Sequence, residues 1–86
     1  MKVEFTEKSK KQFLKLDKPI KLQIPKFITK LQEYENPRVT GKALVGNLAG
    51  FWKYRVGYYR LICQIRDDKL VIIIVDVGHR KDIYDE

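Results

Sequence analysis

Eighty-six residues are expected to form one domain spanning 1–86, with no room for a second core or a long linker. Eighteen lysines and arginines against eleven acids give a net charge of +7, a field that draws in polyanions and makes nucleic acid the first partner to consider. The single cysteine, Cys63, excludes an internal disulfide and offers no metal-ligand spacing, so neither a metal nor another cofactor is expected; the polar start MKVEFTEKSKK and the absence of a long apolar run argue against export and membrane spanning and for the cytoplasm.

Lys2 to Phe5 alternates polar and apolar residues, as a short strand does, and Thr6 is placed to cap a helix that follows. Between Glu7 and Leu16 only Phe13, Leu14 and Leu16 are apolar, so that helix has a narrow buried stripe and a lysine-rich outer face. Pro19 suits the first turn of a second helix, along which Ile20, Ile24, Phe27, Ile28 and Leu31 recur at helical spacing. Pro25 predicts a kink or a late helix start, since a proline beyond the first turn removes a hydrogen bond and clashes with the preceding turn. Asn36 and Pro37 end the helix, and a glycine-punctuated segment with Leu44 and Leu48 as anchors leads to three strands: Phe51 to Val56, Tyr58 to Arg66, and Lys69 to Val77. The fold class is therefore α+β: an N-terminal strand, a two-helix hairpin, then a three-stranded antiparallel meander packed on the helices. The last strand, LVIIIVDV, is apolar on both faces and belongs in the middle of the sheet.

Alternation divides the first hairpin into two faces. Trp52, Tyr54, Val56, Tyr59, Leu61, Cys63 and Ile65 form the core side; Phe51, Lys53, Arg55, Tyr58, Arg60, Ile62 and Gln64 form a side expected to meet solvent or a ligand. With the turn centred on Gly57 and Tyr58, Arg55 lies opposite Arg60, a like-charge pair that a bound phosphate would relieve. No acid occurs between Arg38 and Arg66, whereas six positive charges do (Arg38, Lys42, Lys53, Arg55, Arg60 and Arg66). From Asp67 onward six acids outnumber three bases, which makes Arg80 the exception there. The lysines of the helical part, by contrast, read as a solvated face.

The run GNLAGFWKYRVGYYRLICQI, followed by VIIIVDVGHRKDIY, resembles the RelE family of messenger-RNA interferase toxins within the RelE/ParE superfamily. The resemblance covers nearly the whole chain and implies a curved antiparallel sheet on two helices. It implies an enzyme, an endoribonuclease that cuts mRNA in the ribosomal A site by metal-independent attack of the 2′-hydroxyl on the adjacent phosphorus. Partners implied are the ribosome with its 16S rRNA and a cognate antitoxin protein, with DNA contacted only through that antitoxin. By motif position the resemblance assigns Lys53 and Arg55 in WKYRVG, Arg60 in GYYRL, and Arg80 and Tyr84 in VGHRKDIY as catalytic residues, the cations also binding RNA together with Lys42. Cations suit a charged phosphorane-like transition state, and an aromatic suits stacking on an unpaired base; Tyr84 is assigned that second role, against the plainer reading of a tail aromatic packed on the sheet. Arg55 stands where some relatives have a lysine, and arginine does not give up its proton. The proton-transfer candidates are thus Lys53, if neighbouring cations disfavour its charged form, and His79, whose imidazole ordinarily titrates near neutral pH. Val45 stands where the family can carry an arginine, which implies one phosphate contact fewer.

Two other readings compete. A ParE-like toxin shares the fold but inhibits gyrase and generally lacks this cationic cluster. A non-catalytic RNA-binding or antitoxin-binding module would use the same face for phosphate affinity alone.

Overall fold

In a computed structural model of the chain, residues 1–79 are described. The elements are β1 (Lys2–Phe5), α1 (Glu7–Leu14), α2 (Lys18–Glu33), β2 (Lys42–Ala43), β3 (Trp52–Val56), β4 (Tyr59–Arg66) and β5 (Val71–His79), with 3-10 turns at Pro37–Val39 and Gly46–Leu48. The strands form one sheet in the order β1-β5-β4-β3-β2. The three-stranded meander is therefore flanked on both sides. β1 joins β5 in parallel, and the two-residue β2 pairs with β3 where the glycine-punctuated sequence predicts a loop.

α1 starts at Thr6, whose hydroxyl accepts from the Ser9 backbone N–H at 3.1 Å. Its narrow apolar stripe suffices because the helix also closes a sheet edge through hydrogen bonds. Beyond the end of β1, the Ile74 carbonyl accepts from the Thr6 N–H at 3.0 Å and from the Ser9 hydroxyl at 2.6 Å. The Val77 N–H donates to Gln12 Oε1 at 2.9 Å. Ser9 is fully buried, and these bonds provide for its hydroxyl.

α2 runs unbroken from Lys18 to Glu33 with Pro25 inside it, so the expected late start does not occur. Pro25 lies on the exposed side, and the buried stripe of Ile20, Ile24 and Leu31 packs on the sheet. That burial outweighs the roughly 3 kcal/mol a proline costs in a helix interior. The core beneath it contains Tyr54, Val56, Leu61, Cys63, Ile72, Ile74 and Val77, the hairpin's core residues being those that alternation assigns. Phe27 packs on Tyr54 with ring centroids 5.5 Å apart, and the buried Tyr54 hydroxyl donates to the Pro37 carbonyl at 2.6 Å. Burial raises the titration of both Tyr54 and Cys63, so both stay protonated.

β5 lies between β1 and β4, as its apolar sequence requires. It extends to His79, two residues past the predicted end, and starts later, because Lys69 and Leu70 belong to the preceding turn. Opposite the Ile62/Cys63 step the ladder shifts by one residue: Cys63 pairs with Ile74, and Ile62 with Asp76. This bulge sets the register of everything that follows on β5.

Candidate functional site

The β3–β4 hairpin turns at Gly57 and Tyr58, and Val56 faces Tyr59. Gly57 has a φ of +59° while Tyr58 does not enter the left-handed region, the arrangement of a turn with glycine at its first central position. The register that follows places Arg55 directly opposite Arg60, as predicted. On the other side of β3, Lys42 stands directly opposite Lys53. Residues paired across strands share a face, and residues two apart on a strand do too. Lys42, Lys53, Arg55 and Arg60 therefore project from one face of three adjacent strands, opposite the face covered by α2.

That face differs from the expected open surface. Arg55 and Lys42 are exposed, but Lys53 and Arg60 are only 8% and 5% exposed and Ile62 is 2% exposed. Lys53 and Arg60 are both engaged in interactions. The site thus has two accessible cations at its margin and two held in place near its centre. Asp76 is paired with Ile62 in the ladder, but its carboxylate turns to α1, accepting from Gln12 Nε2 at 2.7 Å and lying 3.8 Å from Lys8 Nζ.

Two further residues set this geometry. Gly78 is the β5 partner of Arg60, so no side chain from that strand crowds the guanidinium. Gly41, just before Lys42, has a φ of +82°, and a Cβ there would sit 2.5 Å from both the Lys53 carbonyl oxygen and Trp52 Nε1. Glycine alone lets the chain pass this close to β3 and deliver Lys42 opposite Lys53. Trp52 Nε1 donates to the Thr40 carbonyl at 2.8 Å and ties down the same segment. A glycine before a lysine is visible in the sequence, but only the close approach to Trp52 and Lys53 gives it meaning.

His79 is placed elsewhere. Its ladder partner is Tyr59, a core-face residue, and its ring meets Tyr59 edge-on at 5.3 Å. It also lies nearly parallel to the Tyr58 ring, at 6.4 Å between centroids and 14° between planes. The register sets His79 at the end of the sheet beside the hairpin turn, with its side chain on the face opposite that of Lys53, Arg55 and Arg60. Of the two proton-transfer candidates, Lys53 is the one the strands bring together with the arginines. Arg80 and Tyr84 lie outside the described residues.

At the far end of β3, Arg38 grips Asp67 through two hydrogen bonds of 3.0 and 2.9 Å. This hydrogen bonding raises the Arg38 titration and lowers that of Asp67. Two of the arginines in the acid-free stretch are thereby matched by acids from the turn after it, since Arg66 also pairs with Asp68 at 3.4 Å. Lys42, Lys53, Arg55 and Arg60 are the cations of this stretch that lie on the sheet face.

Comparison with known proteins bears on the family and the fold. The family model for the ParE toxin of type II toxin-antitoxin systems matches residues 3–84. The chain is 37% identical over 82 residues to Toxin RelG of Mycobacterium tuberculosis, covering 95% of this chain and 93% of that one. It is 30% identical over 87 residues to the mRNA interferase toxin RelE of Escherichia coli K12, covering 98% and 90%. Among solved structures it resembles a chain of the toxin-antitoxin complex RelBE2 of Mycobacterium tuberculosis, with a TM-score of 0.82, 32% identity, and 92% and 96% coverage.

Proposed function

Since the chain belongs to the RelE-type toxins of type II toxin-antitoxin systems, we propose that it is a ribosome-dependent endoribonuclease whose basic sheet face holds and cuts mRNA in the A site. The observation that carries this reading is the convergence of Lys42, Lys53, Arg55 and Arg60 on one sheet face through two like-charge cross-strand pairs. A face built only for stability would set acids opposite those cations. A face built for a phosphodiester gathers cations where charge develops.

In the proposed reaction the 2′-hydroxyl of one nucleotide attacks the adjacent phosphorus. The P–O5′ bond breaks, leaving a cyclic phosphate and a 5′-hydroxyl. Arg60, nearly buried and facing a glycine, holds a non-bridging oxygen in a fixed place; Arg55 supplies a second, more mobile contact, and Lys42 receives the neighbouring backbone. Lys53 takes the 2′-hydroxyl proton, because the two arginines do not give up theirs and Lys53, unlike the exposed Lys42, is held near the centre of the site. Arg80 and Tyr84 retain the roles the resemblance gives them, transition-state cation and base-stacking aromatic. No metal enters the proposal. The protein acts in the cytoplasm, and a cognate antitoxin restrains it, as the RelBE2 complex exemplifies for a relative.

Mapping new 5′ ends on messages engaged by translating ribosomes tests this reading. Codon-phased cuts that disappear with Arg60→Gln and Lys53→Met support it. Intact message with arrested gyrase would favour the ParE-like activity instead, and intact message with salt-sensitive RNA binding would reduce the protein to a binding module.

A further inference from the structure

Tyr58 is unusual for a hairpin turn. Its position favours small polar residues, yet it bears an aromatic ring that is 71% exposed and so gains little from burial. The ring is nonetheless ordered against another. His79 lies nearly parallel to it, 6.4 Å away and tilted by 14°, and is itself held edge-on by Tyr59 at 5.3 Å. Tyr59 in turn packs on the hydrophobic core. A chain of three rings thus leads from the core to a flat, accessible surface at the hairpin end. The next residue along the strand is Arg60, with Arg55 opposite it. His79 lies on the face opposite the arginines, so the exposed ring it backs stands at the hairpin end. Two strand residues span about 7 Å, and an RNA strand that crosses the Arg55–Arg60 pair and runs over that end brings its next nucleotide to Tyr58.

We propose that the exposed Tyr58 ring, backed by His79, is a stacking platform at the hairpin end for one unpaired nucleobase of an RNA strand whose backbone crosses the Arg55–Arg60 pair. The site takes single-stranded RNA, since only an unstacked base presents a free face. Stacking tolerates every base, so the platform adds affinity and favours purines only modestly. It is separate from the base contact that the family resemblance assigns to Tyr84. The inference rests on the basic face being an RNA site, so the test separates the two.

The test uses the full chain with a short oligoribonucleotide carrying 2-aminopurine at successive positions and a 2′-deoxy sugar at the cut site, so that it binds without being cleaved. Tyr58→Ala should leave the melting temperature close to that of the parent, weaken binding roughly 5- to 100-fold and abolish the fluorescence quenching at one position. Tyr58→Phe, which retains the ring, should retain both. If Tyr58→Ala binds and quenches as the parent does while Arg60→Gln weakens binding, the platform is wrong and the basic face stands. If neither substitution alters binding, both readings fail.

Discussion

Replacing Arg55 with glutamine should move two measurements in opposite directions, which few explanations other than a phosphate-binding cation pair would produce. Arg55 and Arg60 are directly opposed across the hairpin. Because the turn closes on the hydrogen-bonded pair Val56 and Tyr59, the next pair is of the close kind, with Cβ atoms about 5 Å apart. Two unit charges about 6 Å apart in a water-like medium repel by roughly 0.7 kcal/mol, and salt lowers this further. Arg60 is 5% exposed and held by interactions of its own, so the exposed Arg55 is the member of the pair that can move. Removing its charge should therefore stabilise the free protein by about 0.5 kcal/mol, a rise of roughly 2–4 °C in melting temperature for a domain of this size.

RNA binding should weaken in the same variant. On a single strand, each phosphate that is no longer neutralised makes the slope of log affinity against log salt shallower by about 0.7. Thermal melts paired with binding titrations at several salt concentrations read both effects, and Arg55→Lys, which keeps the charge, should retain the salt slope and gain no stability. A fall in melting temperature for Arg55→Gln would mean that Arg55 makes a stabilising interaction in the free protein and would refute the repulsion argument. An unchanged salt slope would remove Arg55 from the RNA site.

Gly41→Ala should destabilise the protein by roughly 2–4 kcal/mol, combining the cost of a left-handed non-glycine residue with overpacking against Trp52 and the Lys53 carbonyl; a large drop in melting temperature with altered Trp52 fluorescence checks this. Leu70 has a φ of 53° in the β4–β5 turn and is 65% exposed. Leu70→Gly should therefore stabilise by about 0.5–1 kcal/mol, the relief of strain exceeding the added freedom of the unfolded chain, as a urea melt would show. Asp67 is held below its ordinary range by Arg38, so the pair supports the fold above about pH 4 and loses that contribution as pH falls through the lowered value. The difference in melting temperature between the parent and Asp67→Asn should be present at neutral pH and vanish in acid.

Local chemistry made most of the fold legible. Thr6 as a cap, the stripe from Ile20 to Leu31 and the Gly57-Tyr58 turn are signals read within a few residues, and the turn alone fixed Arg55 opposite Arg60. What escaped depends on distant partners. β2 is two residues long and exists because Gly41 lets the chain approach Trp52, a contact that no periodicity reveals. The burial of Lys53 and Arg60 was also hidden, because alternation tells which side a residue faces but not what covers it. Pro25 stays inside the helix because the buried apolar stripe on the opposite side outweighs its cost, a balance that local sequence does not display.

The β5 bulge joins these local and distant effects. Ile72 and Ile74 follow strict alternation into the core, but the next core residue is Val77, an odd step that strict alternation forbids. Without the bulge, Asp76 would fall opposite Leu61 on the core face and Val77 opposite Arg60. With it, Val77 returns to the core opposite Leu61, and glycine rather than valine faces the arginine. The Asp76 carboxylate meets Gln12, and the Val77 N–H bonds to the same side chain. A helix with a narrow apolar stripe thus stabilises, through Ser9 and Gln12, the irregularity that keeps a carboxylate out of the core and sets a glycine opposite Arg60.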